Sequence, residues 1–196
     1  MNWLKKSSKP YKVKIDGTIC SLDDQGISGL IKKKLKSSQA VQKAFKKFEI
    51  SPDKLDNLDV IIEDIGDDQY ALTDSEKMRL NKSVFENGND FLKDYMFVIA
   101  HEIMHFILRL RQKQKGNINL PDSIIPEKPT KSNHGYFNDE EESLAFCLAI
   151  AYELEKGKSL QEIWRLIFPK IEFHFHDEKD AKIFFKRCIK KSKQFL

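Results

Sequence analysis

Cysteine is scarce in this chain. Cys20, Cys147 and Cys188 are three among 196 residues. They are too few and too scattered for a disulfide framework or a C-x-x-C metal site, and they fit a reducing compartment in which Cys147 serves as a small buried apolar residue. Glycine and proline are sparse as well, at eight and six, which excludes collagen-like and low-complexity classes. Arginine stands only at positions 79, 109, 111, 165 and 187, so lysine supplies most of the 34 positive charges set against 30 negative ones. A net charge of +4 is too mild to imply a nucleic-acid partner. The runs Lys32-Lys33-Lys34 and Lys190-Lys191 read as solvated faces. No apolar run approaches the roughly 18–20 residues that a spanning helix needs; the nearest is interrupted by His101, Glu102 and His105. The opening stretch, MNWLKKSSKPYKVKIDG, has no apolar segment of the secretory kind. The expectation is a soluble protein, cytoplasmic where it is synthesised, with no membrane and no nucleic-acid partner. An export signal of another kind would escape this reading.

Core material is plentiful, with 14 Phe, 5 Tyr and 2 Trp, and the length suits one domain that needs no staples. Residues 1–20 read as extended, because Tyr11, Val13 and Ile15 alternate with Lys12, Lys14 and Asp16. Asp23 or Asp24 caps a helix over about 24–50, whose Leu30, Ile31, Leu35, Val41, Phe45 and Phe48 keep helical spacing before Ser51-Pro52-Asp53 stops it. A small, mostly antiparallel sheet comes next, over about 58–86. Its strands are Val60-Ile61-Ile62, the weaker Tyr70-Ala71-Leu72 and the alternating segment 79–85, with Gly66-Asp67-Asp68 as the turn between the first two. Asn89 or Asp90 opens the most apolar helix, over about 90–111. The polar stretch 112–138, with Pro121, Pro126 and Pro129, has the length of a functional or mobile loop.

A second apolar helix runs over about 139–156 and ends at Gly157. Helices over about 159–193 complete the chain. The first opens on the capping box Ser159-Leu160-Gln161-Glu162 and is expected to break at Pro169. The last gathers Ala181, Phe184, Phe185, Cys188 and Ile189 on one side. The whole reads as a single α+β domain over 1–196, dominated by helix.

The chemistry concentrates in His101-Glu102-Ile103-Met104-His105, an H-E-x-x-H. Residues i and i+4 of a helix lie one turn apart on one face, so two imidazoles so placed can reach one metal ion. Glu102 is rotated about 100° from His101 and can instead reach a water held at that ion. Around the motif the helix is otherwise apolar, and burying three ionisable groups without partners costs several kcal/mol. Val98, His101, His105 and Leu108 form one stripe, so both histidines are expected to point inwards. A bland alternative has two core histidines bonded to backbone carbonyls, but it leaves Glu102 unexplained.

These residues resemble the active-site helix of the zincin metallopeptidases. The metzincin continuation is absent, because positions 108 and 111 are Leu and Arg. The gluzincin pattern places a Glu on a later helix as third zinc ligand. The downstream stretch Asn138-Asp139-Glu140-Glu141-Glu142-Ser143-Leu144-Ala145-Phe146 is similar to it. The resemblance extends over about residues 60–155. It implies Zn2+ held by His101, His105 and one of these glutamates, with Glu102 as catalytic base. The E-x-x-A spacing favours Glu142, whereas the apolar face of Leu144, Cys147, Leu148, Ala151 and Leu154 centres nearer Glu140 or Glu141. Many gluzincins carry an acidic residue or Asn four positions after the ligand; here Phe146 stands there.

The resemblance further implies hydrolysis of a peptide bond in a protein or peptide substrate. His134 and Tyr136 are candidate donors to the oxyanion, and segment 79–85 would be an edge strand that pairs with extended substrate. The rival expectation is a regulatory or binding module on a zincin-like scaffold without proteolytic activity. A third, a lysine-rich nucleic-acid-binding domain, makes the motif accidental. His174 and His176 read as a polar face opposite Phe173 and Phe175, and Trp3 and Trp164 as core or cap. Cys147, in an apolar helix, lacks the electropositive surroundings that activate a thiol.

Overall fold

The alternating segment near the N-terminus forms one arm of a hairpin. In the computed structural model, which describes residues 10–66, 69–85, 89–116, 140–172, 175 and 177–196, β1 (Tyr11–Ile15) pairs antiparallel with β2 (Thr18–Leu22). Asp16 and Gly17 between them have φ of 47° and 84°, the left-handed pair that a two-residue type I′ turn requires. The Gly17 N–H donates to Asp90 Oδ2 at 2.8 Å. Asp90 also caps the short helix α3 (Phe91–Asp94), so this bond ties the hairpin to the entry of the site helix.

The one helix expected over 24–50 is two. Asp23 caps α1 (Asp24–Ser37), and α2 (Gln39–Lys47) starts afresh after Ser38. The Ser38 hydroxyl accepts the Val41 N–H at 3.2 Å and donates to the Glu155 carboxylate at 2.7 Å. That carboxylate also accepts the N–H groups of Gln39 at 2.8 Å and Ala40 at 3.0 Å. The free N–H groups of a new helix start are thus satisfied by an anion from a distant helix, and the break costs little.

The sheet is the second correction. Strands β3 (Asp59–Glu63), β4 (Ala71–Thr73) and β5 (Lys77–Asn81) lie in the order β3-β5-β4. β5 runs parallel to β3 and antiparallel to β4, so only one of the two pairings in this sheet is antiparallel and the sheet is mixed, not mostly antiparallel as expected. β3 and β4 are not neighbours, and Gly66 belongs to a crossing connection; Asp67 and Asp68 lie outside the described residues. The segment 79–85 is no edge strand. Its strand ends at Asn81, the chain turns into a 3-10 helix at Lys82–Phe85, and β5 has a strand on either side. Met78 and Leu80 are buried, as alternation predicts, but alternation assigns faces and not strand order.

The site helix also differs in its bounds. Tyr95 separates α3 from α4 (Met96–Gln114). Helix α5 (Glu140–Glu155) packs against α4, α2 and the last helix, and from Glu142 to Glu153 every residue but Leu144 is buried. Gly157, at φ 81°, ends it. Ser159 and Glu162 make the reciprocal capping box that opens α6 (Leu160–Ile171). Pro169 does not break α6. Ile163, Ile167 and Ile171 are all buried on one stripe, and that packing carries the helix past the one hydrogen bond the proline cannot make. Helix α7 (Glu178–Ser192) buries Ala181, Phe184, Phe185 and Cys188. The result is an α+β arrangement dominated by helix, and no helix among the described residues is long and apolar enough to cross a membrane.

Candidate metal centre

Helices α4 and α5 bring the site together. Ala145 and Ala149 of α5 are fully buried, and side chains that small let two helices approach closely. On α4, His101 and His105 stand one turn apart, with ring centroids 4.9 Å apart and Nε2 atoms separated by 3.1 Å. The Glu142 carboxylate lies between them: Oε2 is 3.3 Å from His101 Nε2, and Oε1 is 3.3 Å from His105 Nε2. His101, Glu102 and His105 each offer one donor atom, all within 4.8 Å of one another. Atoms bound at about 2.0–2.1 Å around a tetrahedral zinc lie roughly 3.3 Å apart, so two imidazole nitrogens and one carboxylate at these separations fit such an ion.

The other two candidate glutamates sit elsewhere. Glu141 Oε1 is 2.9 Å from Nδ1 of His105, on the ring edge away from Nε2, and 3.6 Å from the Arg109 guanidinium. Glu140 is exposed. The expectation built on the apolar face of α5 rested on a one-sided helix, and α5 is buried nearly all round. Both histidine side chains are 12% exposed, at the rim of the core. Their partners are carboxylates, and not the backbone carbonyls of the bland alternative.

Charges in the cluster are strongly coupled. Burial pushes the Glu102 carboxyl up; the neighbouring histidines and the Thr73 hydroxyl pull it back without cancelling that rise. Burial alone would lower His105, but the hydrogen bond to Glu141 and the charges of Glu142 and Glu102 outweigh it and raise the imidazole to about 9. Burial raises the Glu141 carboxyl, and the His105 bond and the Arg109 charge hold it below the usual range.

Four neighbours have roles that sequence reasoning missed: Thr73, Arg109, Phe146 in its packing role, and Glu141 as a partner of His105. Phe146 stands edge-on to the His101 ring with centroids 4.5 Å apart. Arg109 falls one helical turn after His105, a spacing that places it beside whatever meets that histidine; Thr73 carries no such signal. His134, Tyr136, His174, His176 and Trp3 lie outside the described residues. Trp164, half-buried, packs on Phe168 and Phe185 against the core. Cys147 and Cys188 are free and fully buried. The Cys188 thiol lowers the Cys147 thiol through a hydrogen bond, burial raises it, and the charges of Lys191 and Arg187 lower it.

No family model, curated protein or solved structure matches the chain.

Proposed function

We propose that this chain is a zinc-dependent metallopeptidase of the gluzincin type on a zincin-like domain, hydrolysing a peptide bond in a protein or peptide substrate. The observation that carries the reading is the convergence of His101, His105 and Glu142 at zinc-ligand separations with Glu102 buried beside them. In this reading His101, His105 and Glu142 hold the ion. Zinc bound there would supply a Lewis acid that lowers the pKa of water and polarises a carbonyl.

The protein's own part in the chemistry falls to Glu102. Its carboxylate takes the proton of the attacking water at an oxygen and delivers it to the leaving amine. Thr73 sits against Glu102 on β4, and β4 has a free outer side among the described residues. Asn81 N–H bonds to Tyr70 O and Asp74 N–H to Lys77 O. The antiparallel alternation therefore turns the backbone groups of Ala71 and Thr73 outwards. That edge, and not segment 79–85, is where an extended substrate would add a strand.

The test compares wild type with Glu102→Gln. The variant is expected to retain zinc and to lose cleavage by about 10²–10⁴-fold; new N-termini generated by wild type alone identify the substrate. Less than about 0.2 zinc per chain, with no binding on titration, would sink the zinc reading. Zinc retained with no cleavage by wild type would favour the regulatory module.

A further inference from the structure

The two histidines of the site are held in different ways. His101 Nδ1 is buried and has no hydrogen-bond partner among the described residues, and the ring is fixed by Phe146 packed edge-on. His105 has a carboxylate on its Nδ1 side, Glu141 at 2.9 Å, and that carboxylate is met by Arg109 at 3.6 Å. His105 and Arg109 are one turn apart on α4 (Met96–Gln114). Glu141 comes from α5, one residue before Glu142. Its side chain is 23% exposed and that of Arg109 19%, so water screens the contact only in part.

We propose that Glu141 and Arg109 are positioning residues for His105. Arg109 fixes the Glu141 carboxylate, and Glu141 accepts the Nδ1–H of His105. With an ion bound, the ring is thereby kept in the tautomer that leaves Nε2, on the side of Glu142 and His101, free to ligate. This rests on the zinc reading above and adds to it: Glu141 is no alternative ligand, and the rigidity of the site is one-sided. A carboxylate behind a ligating imidazole sets ring orientation and ligand basicity, and its loss typically weakens metal binding by about 10–100-fold. The adjacency of Glu141 and Glu142 lets one turn of α5 serve both purposes, since successive residues diverge by about 100°.

The experiment is a Zn2+ competition titration of the full chain against a chromophoric chelator, with circular dichroism as the folding control. Glu141→Ala is expected to weaken zinc about 10–100-fold, and Glu141→Gln less, because its amide oxygen accepts the same hydrogen bond. Glu142→Gln is expected to lose more than either. Arg109→Gln should weaken zinc in the wild-type background and have no further effect beside Glu141→Ala, an outcome that a merely structural arginine would not give. Unchanged affinity in Glu141→Ala overturns the proposal and leaves the zinc reading standing. So does a Glu141→Gln loss as large as that of Glu142→Gln, which would make Glu141 a ligand. Should Glu141→Ala fail to fold, Glu141→Leu takes its place. If wild type binds no zinc, the zinc reading falls and ¹⁵N-edited NMR of the metal-free protein decides the orienting contact. A hydrogen-bonded His105 Nδ1–H signal, present in wild type and lost in Glu141→Ala, supports it; its absence from wild type overturns it.

Discussion

A carboxylate in a protein interior must find cations or donors, and α5 carries two such groups about three turns apart. Glu142, at one end, is answered by two imidazoles. Glu153, at the other, has no exposed surface and is answered by Lys158 at 2.7 Å and Lys156 at 3.4 Å. The second arrangement is structural. Removing the only partner of a buried charge costs about 3–5 kcal/mol; Lys158→Ala leaves Lys156 in place, so a loss of about 2–3 kcal/mol is expected. Thermal unfolding should record it as a fall in Tm of roughly 5–10 °C, with zinc content unchanged. At this scale the histidines and Glu102 were legible, because i and i+4 on a helix fix a shared face whatever surrounds it. The choice among Glu140, Glu141 and Glu142 was not. It depends on which side of α5 meets α4, and a helix buried nearly all round shows no polar side from which to infer the other.

Secondary-structure elements in this fold are joined by anions placed at helix starts, and the break between α1 and α2 depends on one of them. Glu155 accepts from Ser38, Gln39 and Ala40. Burial raises its carboxyl, but these three donors and Lys156 hold it below its ordinary value of 4.5. A group whose folded pKa is depressed contributes stability that is fully present above the unfolded value and is lost as pH falls through the folded one. The Tm difference between wild type and Glu155→Gln should therefore be constant from pH 7 to about 5 and shrink below about 4.5, its size reflecting about 0.3–1 kcal/mol for an exposed carboxylate at a helix start.

A second prediction at this scale concerns β4. Thr73→Pro removes an outward N–H while leaving the bonds of β4 to β5 in place, and prolines are tolerated on edge strands. KM for a peptide substrate should rise several-fold, by the loss of about one hydrogen bond. Thr73→Val keeps the N–H and should leave KM near wild type. Equal KM in the two variants would remove β4 as the docking edge. β1 and β5 were legible from alternation and β3 from its apolar β-branched run, whereas β2 was not, because residues 1–20 read as one extended stretch that runs on through the Asp16-Gly17 turn. Strand order, and with it the identity of the edge, was not legible. It is set by what packs on each side of the sheet, as is the survival of α6 past Pro169.

For the molecule as a whole, the metal would act as a cross-link. Two proposed ligands lie on α4 and the third on α5, helices separated by residues 115–139 in the chain and packed against each other. A ligand that binds the folded state alone stabilises it by about 2.7 kcal/mol at a free concentration one hundred times Kd. For a chain of this size that corresponds to a rise in Tm of roughly 5–10 °C. Chelator should reverse the shift, and Glu142→Gln, which removes the α5 side of the cross-link, should abolish it. Glu102→Gln should keep it, because in this reading Glu102 acts on water and not on the ion. A full zinc-induced shift in Glu142→Gln would mean that α4 alone holds the metal, and the bridging role of α5 would have to be abandoned.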